Sequence, residues 1–271
     1  LSAAGGPAKR PFGAPDGGTV TVYTGTMTVA ETWALLASSG PRADGDQVAV
    51  YTVSDLAMNG RVAASGGQGV FTQTGGEVKL IVGGDLTTAA TSVIDGYGQE
   101  KGGMFVADVQ GAAVLAGTLT MTGGSGVGQK VGGTALVVTG GDLLVSGTVD
   151  VSAQENWTWQ NGVRTPTGAT VDFRSTNLTV TGAVLAKGGT GPGIQAGGRV
   201  SLTAAELLAV HGTVTASGPE YLSGAGAIKL RYCDVDLSGS TLSSPVNPEV
   251  LCDLLPCQPP CLEGVPPPVC V

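Results

Sequence analysis

Gly141-Asp142-Leu143-Leu144-Val145-Ser146-Gly147-Thr148-Val149-Asp150-Val151 is the stretch that decides how this chain reads. Leu143 and Val145 before Gly147 share one parity with Val149 and Val151 after it. A period of two places all four on one face of extended chain. The grouping recurs. With Gly147 as an anchor, equivalent anchors are expected at Gly25, Gly60, Ala90, Gly117, Gly182, Gly212 and Gly239. The steps between them run from 27 to 35 residues.

The columns around the anchors are apolar. Four before them stand Thr21, Leu56, Leu86, Ala113, Leu143, Leu178, Leu208 and Val235. Two after them stand Met27, Val62, Ser92, Leu119, Val149, Val184, Val214 and Thr241. A second alternating pair precedes most anchors: Val48 and Val50, Val78 and Leu80, Leu136 and Val138, Val171 and Phe173, Val200 and Leu202, Ile228 and Leu230. Each repeat therefore reads as strand, turn, strand, bend, strand, then a Gly-rich loop such as Gly188-Gly189-Thr190-Gly191.

No repeat of this length buries its apolar face alone, but stacked repeats bury one another's. The expected fold is all-β: a single-stranded parallel β-helix, or β-solenoid, of about eight coils over residues 19–245. Residues 1–18 form an N-terminal extension and 246–271 a Pro- and Cys-rich tail. A barrel or hairpin sandwich shares the period of two. Hairpins, however, need no column identity at a recurring step, and their Asn-Gly and Asp-Gly turn signals are sparse. The run Ala30-Glu31-Thr32-Trp33-Ala34-Leu35-Leu36-Ala37 breaks the pattern and predicts a short helix over the open end of the first coil. Residues 154–167 make the longest outer loop.

Composition excludes several classes. The 271 residues include 46 Gly, yet without the strict period of three that collagen needs. No apolar run approaches the roughly 18 residues of a membrane helix. Thirteen Lys and Arg against 21 Asp and Glu leave a net charge of −8, which repels nucleic-acid phosphate.

Five cysteines, Cys233, Cys252, Cys257, Cys261 and Cys270, all follow residue 232. Clustered beside prolines, they read as a disulfide staple formed in an oxidising compartment, so an extracellular or cell-surface location is expected. The tight C-x2-C pairing of common zinc sites is missing, and His211, the single histidine, is distant in sequence. Five is odd, so one thiol stays free or bridges to another chain. The small residues Leu1-Ser2-Ala3-Ala4-Gly5-Gly6 look like the start of a chain already cleaved from a secretion signal.

The phrase running from Leu178 through Thr179, Val180, Thr181, Gly182, Ala183 and Val184 to Gly189, then Gly197 to Ala204, resembles the Gly-rich repeats of large secreted bacterial β-helix proteins. That group includes autotransporter passengers and filamentous-haemagglutinin-like adhesins. The resemblance covers roughly residues 45–245. It implies a β-helix exported from the cell, serving as scaffold or adhesin. Those families usually lack Cys, and the tail departs from them.

Chemistry is scarce. His211 falls on the outward parity of a strand, and no G-x-S-x-G elbow exists. Asp142, Asp150, Asp172, Asp234 and Asp236 lie on expected strands, where paired carboxylates could serve a polysaccharide hydrolase or lyase. Solvated charges that keep a rod soluble account for them better. Trp157 and Trp159, with Asn156 beside them, are candidate contacts for a neighbouring subunit or a glycan. Asn156-Trp-Thr and Asn177-Leu-Thr match the glycosylation sequon. The expected role is a non-enzymatic structural subunit without metal or cofactor. It would assemble with its own copies, through the solenoid ends or terminal extensions, into a fibre, sheath or surface layer. An adhesin or glycan-binding module is the alternative.

Overall fold

The computed structural model describes residues 2–4, 18–38, 44–66, 73–124, 131–153, 169–188, 197–218, 226–244 and 253–254. All regular elements among them are strands, and every named strand pairing is parallel. The strands fall into three sheets that the chain visits in turn.

The first sheet holds the longer strands: β2 (Val20–Thr24), β5 (Gln47–Thr52), β8 (Glu77–Val82), β11 (Met104–Val109), β14 (Thr134–Thr139), β17 (Thr170–Ser175), β20 (Arg199–Ala204), β23 (Ala227–Tyr232) and β26 (Asp253–Leu254). The second sheet stacks β3 (Met27–Val29), β6 (Leu56–Met58), β9 (Leu86–Thr88), β12 (Ala113–Leu115), β15 (Leu143–Val145), β18 (Leu178–Val180), β21 (Leu207–Val210) and β24 (Asp234–Asp236). The third stacks β1 (Ser2–Ala4), β4 (Ala34–Ser38), β7 (Arg61–Ala63), β10 (Val93–Asp95), β13 (Thr118–Thr120), β16 (Thr148–Asp150), β19 (Ala183–Leu185), β22 (Thr213–Thr215) and β25 (Thr241–Ser243).

This is a β-solenoid. Six coils, from β5–β6–β7 to β20–β21–β22, have a paired neighbour on both sides in all three sheets. The first coil, β2–β3–β4, and the last, β23–β24–β25, flank them and are less fully enclosed.

Like residues stack, and the stacks form the core. One inward column of the first sheet runs Val20, Val48, Val78, Phe105, Ala135, Val171, Val200, Ile228. Its neighbour runs Val22, Val50, Leu80, Ala107, Val137, Phe173, Leu202, Leu230. Volume is balanced between rungs: Phe105 shares its strand with Ala107 and stacks on Ala135, so a ring replaces what two alanines leave open. The anchored column of the second sheet holds as read from Leu56 onward, with Leu56, Leu86, Ala113, Leu143, Leu178, Leu208 and Val235 in one ladder.

Four sequence expectations are corrected. In the run Ala135-Leu136-Val137-Val138, Ala135 and Val137 face inward, not Leu136 and Val138, and Val138 is exposed. The run is apolar on both parities, and the ring of Phe105 in the previous coil selects the one that places Ala135 beside it. Ala34–Ser38 is strand, not helix: Leu35 pairs with Val62 and is buried with Ala37. So short a segment gains little as an isolated helix, and the exposed edge of β7 offers it a full ladder instead.

The other two corrections concern register. Met27, not Thr21, lies beside Leu56. Ile94 and Leu242, not Ser92 and Thr241, lie in the Val62–Leu119–Val214 ladder. The anchor column is therefore Trp33, Gly60, Ser92, Gly117, Gly147, Gly182, Gly212, Ser240, as the ladder of amides donating to their carbonyls from Arg61 to Thr241 defines it. In the coils with Trp33, Ser92 and Ser240, the anchor N–H closes a local turn onto Ala30, Ala89 and Leu237 O. At Gly60, Gly147, Gly182 and Gly212 the N–H instead bonds directly to the coil before, as with Gly182 to Val145 O at 3.0 Å. Glycine occupies the corners where backbone meets backbone, and a side chain is tolerated where the corner widens.

Candidate functional site

The column's distinctive surfaces are its ends. β2 and β3 are the last strands of the first and second sheets at one end. β24 and β25 are the last strands of the second and third sheets at the other. An edge strand presents unpaired N–H and C=O groups, and natural proteins blunt such edges with charge, proline or bulges. β2 (Val-Thr-Val-Tyr-Thr) and β3 (Met-Thr-Val) carry no charge and no proline. Among the described residues, five hydrophobic ones pack on the core but are only partly buried: Val22, Met27, Val235, Leu237 and Leu242. All five belong to the first or last coil, beyond which the described strands add only β1 in the third sheet and β26 in the first.

The outer face of the first sheet carries an aromatic pair; the sequence column two before the anchors set Tyr23 inward beside Met58, but Val29 takes that place and Tyr23 faces outward. Tyr23 lies in register with Tyr51, and their rings stack with centroids 4.7 Å apart and planes 12° apart. Tyr23 remains 77% exposed. The signal was present: the two tyrosines sit three residues beyond Val20 and Val48, which are themselves in register. Trp33 is also exposed, on the edge of the same coil.

His211 is exposed, as expected, but it lies at the corner after β21 rather than on a strand, and it has company from the next coil. Its Nδ1 is 2.8 Å from the Ser238 carbonyl oxygen and 3.3 Å from Ser238 Oγ. A carbonyl only accepts, so Nδ1 carries the proton and donates it there. That tautomer cannot take a proton from the Ser238 hydroxyl. Nε2 faces Asp236 Oδ2 at 3.7 Å. The Asp236 carboxylate accepts the Ser238 backbone N–H at 2.9 Å. This bond, then the Ser238 side chain, then nearby His211, hold Asp236 below its ordinary value. The group is a corner clamp on the last coil.

The pH dependence follows from that depressed carboxylate. Its contribution is present above the pKa of the unfolded chain and is lost as pH falls through the folded value. The protection factor of the Ser238 amide, its NMR exchange rate relative to the intrinsic rate at the same pH, is expected to hold at neutral pH and to fall only in acid. Asp236→Asn should remove that pH dependence of the protection.

The other sequence-selected carboxylates each have local work. Asp172 pairs with Arg174 on its own strand, Nη2 to Oδ2 at 2.6 Å, which raises the Arg174 pKa further. Asp150 accepts the Ser152 N–H and Asp234 the Val235 N–H. Asp142 belongs to a stacked corner ladder. Asp55 Oδ1 accepts the Asp85 N–H, Asp85 Oδ1 accepts the Ala112 N–H, Asn177 Nδ2 donates to Asp142 Oδ1, and Asn177 Oδ1 accepts the Leu207 N–H. The Asn177 amide, read as a sequon acceptor, thus spans three coils. Asn177→Ala should cost about 1 kcal/mol and speed exchange of the Leu207 amide in particular. Unchanged Leu207 exchange would refute that role.

Cys233 is disulfide-bonded. Cys252, Cys257, Cys261 and Cys270 lie outside the described residues, as do Asn156, Trp157 and Trp159. Among the described residues no group of three or more His, Cys, Asp or Glu stands together as metal ligands. No helix among them is long and apolar enough to cross a membrane. No family model, curated protein or solved structure matches the chain.

Proposed function

We propose that the chain is a non-enzymatic structural subunit that self-assembles end to end into a fibre, sheath or surface layer outside the cell. The observation that carries this reading is the state of the two ends. Apolar columns run the length of the stack and reach both terminal coils, where Val22, Met27, Val235, Leu237 and Leu242 are only partly covered. A second copy stacked there would bury them and supply partners for the edge N–H and C=O groups. One end differs from the other, so the contact is head to tail. A head-to-tail contact without rotational closure propagates as an open filament.

The cysteine-rich tail fits an oxidising exterior, and the bonded Cys233 sits on the last coil, next to β24. The test is electron microscopy and light scattering of purified protein across a concentration series under oxidising conditions. Filaments that lengthen with concentration are expected. Monodisperse single columns at the highest concentration would overturn the reading.

Glycan binding is favoured by a separate observation, the exposed Tyr23 ring stacked on Tyr51 on the outer face of the first sheet. Aromatic faces of this kind stack on sugar rings. If this is the role, Tyr23→Ala and the double replacement of Trp157 and Trp159 by Ala should each weaken binding on a glycan array. A parent protein that binds no glycan would end this second reading.

A further inference from the structure

The two ends are unequal in a complementary way. At one end the third sheet runs one strand further than the others, because β1 pairs beyond β4. At the opposite end the first sheet runs one strand further, because β26 pairs beyond β23. Among the described residues each end is therefore an incomplete coil. One end has the third-sheet strand that the other lacks, the other has the first-sheet strand that the first lacks, and neither has a second-sheet strand.

We infer that successive copies join through a shared coil, in which β26 of one copy and β1 of the next occupy the same rung. The inference rests on the self-assembly reading above and specifies its interface. In the first sheet β26 would lie between β23 and the β2 edge of the next copy. In the third sheet β1 of the next copy would lie between β25 and its own β4. The second sheet keeps one unfilled rung between β24 and the β3 of the next copy, so Met27 and Val235 stay partly covered there, and the burial gained falls on Val22 and Leu242 in the other two sheets.

Register supports the fit. Continuous pairing carries one column of the third sheet from Ser2 through Leu36, Ala63, Asp95, Thr120, Asp150, Leu185 and Thr215 to Ser243. Continuing the stack sets Ser2 of the next copy beside Ser243. In the first sheet Leu254 takes the position beside the buried Tyr232, and the next copy continues that column with Thr24. Chain direction agrees as well, since all these pairings are parallel.

The shared coil fixes the axial repeat. Each copy advances the stack by nine rungs at about 4.8 Å, or roughly 43 Å. Ends that met without sharing, with β1 and β26 displaced, would advance eight rungs, roughly 38 Å. Ends that stacked both extra strands would advance ten, roughly 48 Å.

The experiment is cryo-electron microscopy of filaments of the unaltered chain, read for axial repeat, alongside a double variant carrying Ser2→Cys and Ser243→Cys. Within one copy these positions are eight rungs apart, so a disulfide between them must join two copies. Mild oxidation followed by peptide mass spectrometry should yield a cross-linked peptide pair containing both positions. Each single variant should yield none. A repeat near 43 Å together with that peptide is the expected result. Filaments with a repeat near 38 or 48 Å, or without the cross-link, would overturn the shared coil and leave self-assembly standing. Failure of the unaltered chain to elongate at all would overturn both.

Discussion

Replacing Phe173 with Ala is expected to cost about 3–5 kcal/mol, the range for removing a buried aromatic ring from a close-packed core. Phe173 is 0% exposed and stands in β17, in a coil paired on both sides. Its register neighbours are Val137 below and Leu202 above, residues too short to close on the vacated space. The rigid spacing of the rungs makes collapse harder still. Each strand is pinned to two others by backbone bonds, and moving one toward the cavity would break the ladder for its neighbours. Phe173→Leu keeps most of the volume and should cost under half as much. In a one-dimensional stack the damage should also be local in kind: coils on either side lose a neighbour and separate into two weakly coupled halves. Urea denaturation followed by circular dichroism should show a lowered midpoint and a broadened or split transition for Phe173→Ala. A midpoint within error of the parent would mean that Phe173 is not the bulk that fills its column.

Much of this architecture was legible because stacking imposes the same test on every repeat. The columns from Leu56 to Val235 and from Val48 to Ile228 could be read in the chain, since a one-residue slip would turn each apolar set outward. What failed were positions where local sequence was compatible with two answers. Ala135 to Val138 is apolar on both parities, and only the bulk of Phe105, one coil away, decides between them. Ala30 to Ala37 has helix-forming composition, and only the edge of β7 makes strand the better outcome. The anchors slipped where the corner contains an extra turn, at Trp33, Ser92 and Ser240, because a nearby small residue (Gly25, Ala90 or Gly239) imitated the repeat. The ends were less legible for a different reason. An edge is a property of stacking order rather than of any residue, and β2 and β3 lack charge and proline just as the internal strands β5, β6 and β12 do, so nothing within them marks it. Tyr23 and Tyr51 lay within reach of the same column logic, applied to the outward parity instead of the inward one.

Gly182→Ala should be strongly destabilising, whereas Gly25→Ala should be neutral or slightly stabilising, although both glycines read as the same anchor in sequence. A Cβ on Gly182 would lie 2.0 Å from the Gly147 carbonyl oxygen, far inside van der Waals contact. The obstacle is backbone, and it is held by the N–H of Ala183 donating to that same carbonyl at 2.9 Å. Relief would require the corner to lift from the coil before it, stretching this bond together with those from Thr181 and Gly182 to Val145 O. Gly212 stands directly on Gly182 and would be displaced in turn. The cost should reach the top of the roughly 1–3 kcal/mol range for overpacking. Gly25 has nothing within 4 Å of its built Cβ and lies on the open first coil. Alanine there restricts the unfolded chain, an effect of about 0.4–1 kcal/mol in favour of folding when the native backbone accepts it. Thermal melts of the two variants should therefore move in opposite directions, or one should not move at all. Equal destabilisation would mean that glycine is required at the anchors for its backbone freedom. The corrected anchor column argues otherwise: what those corners need is the absence of a side chain between two backbones.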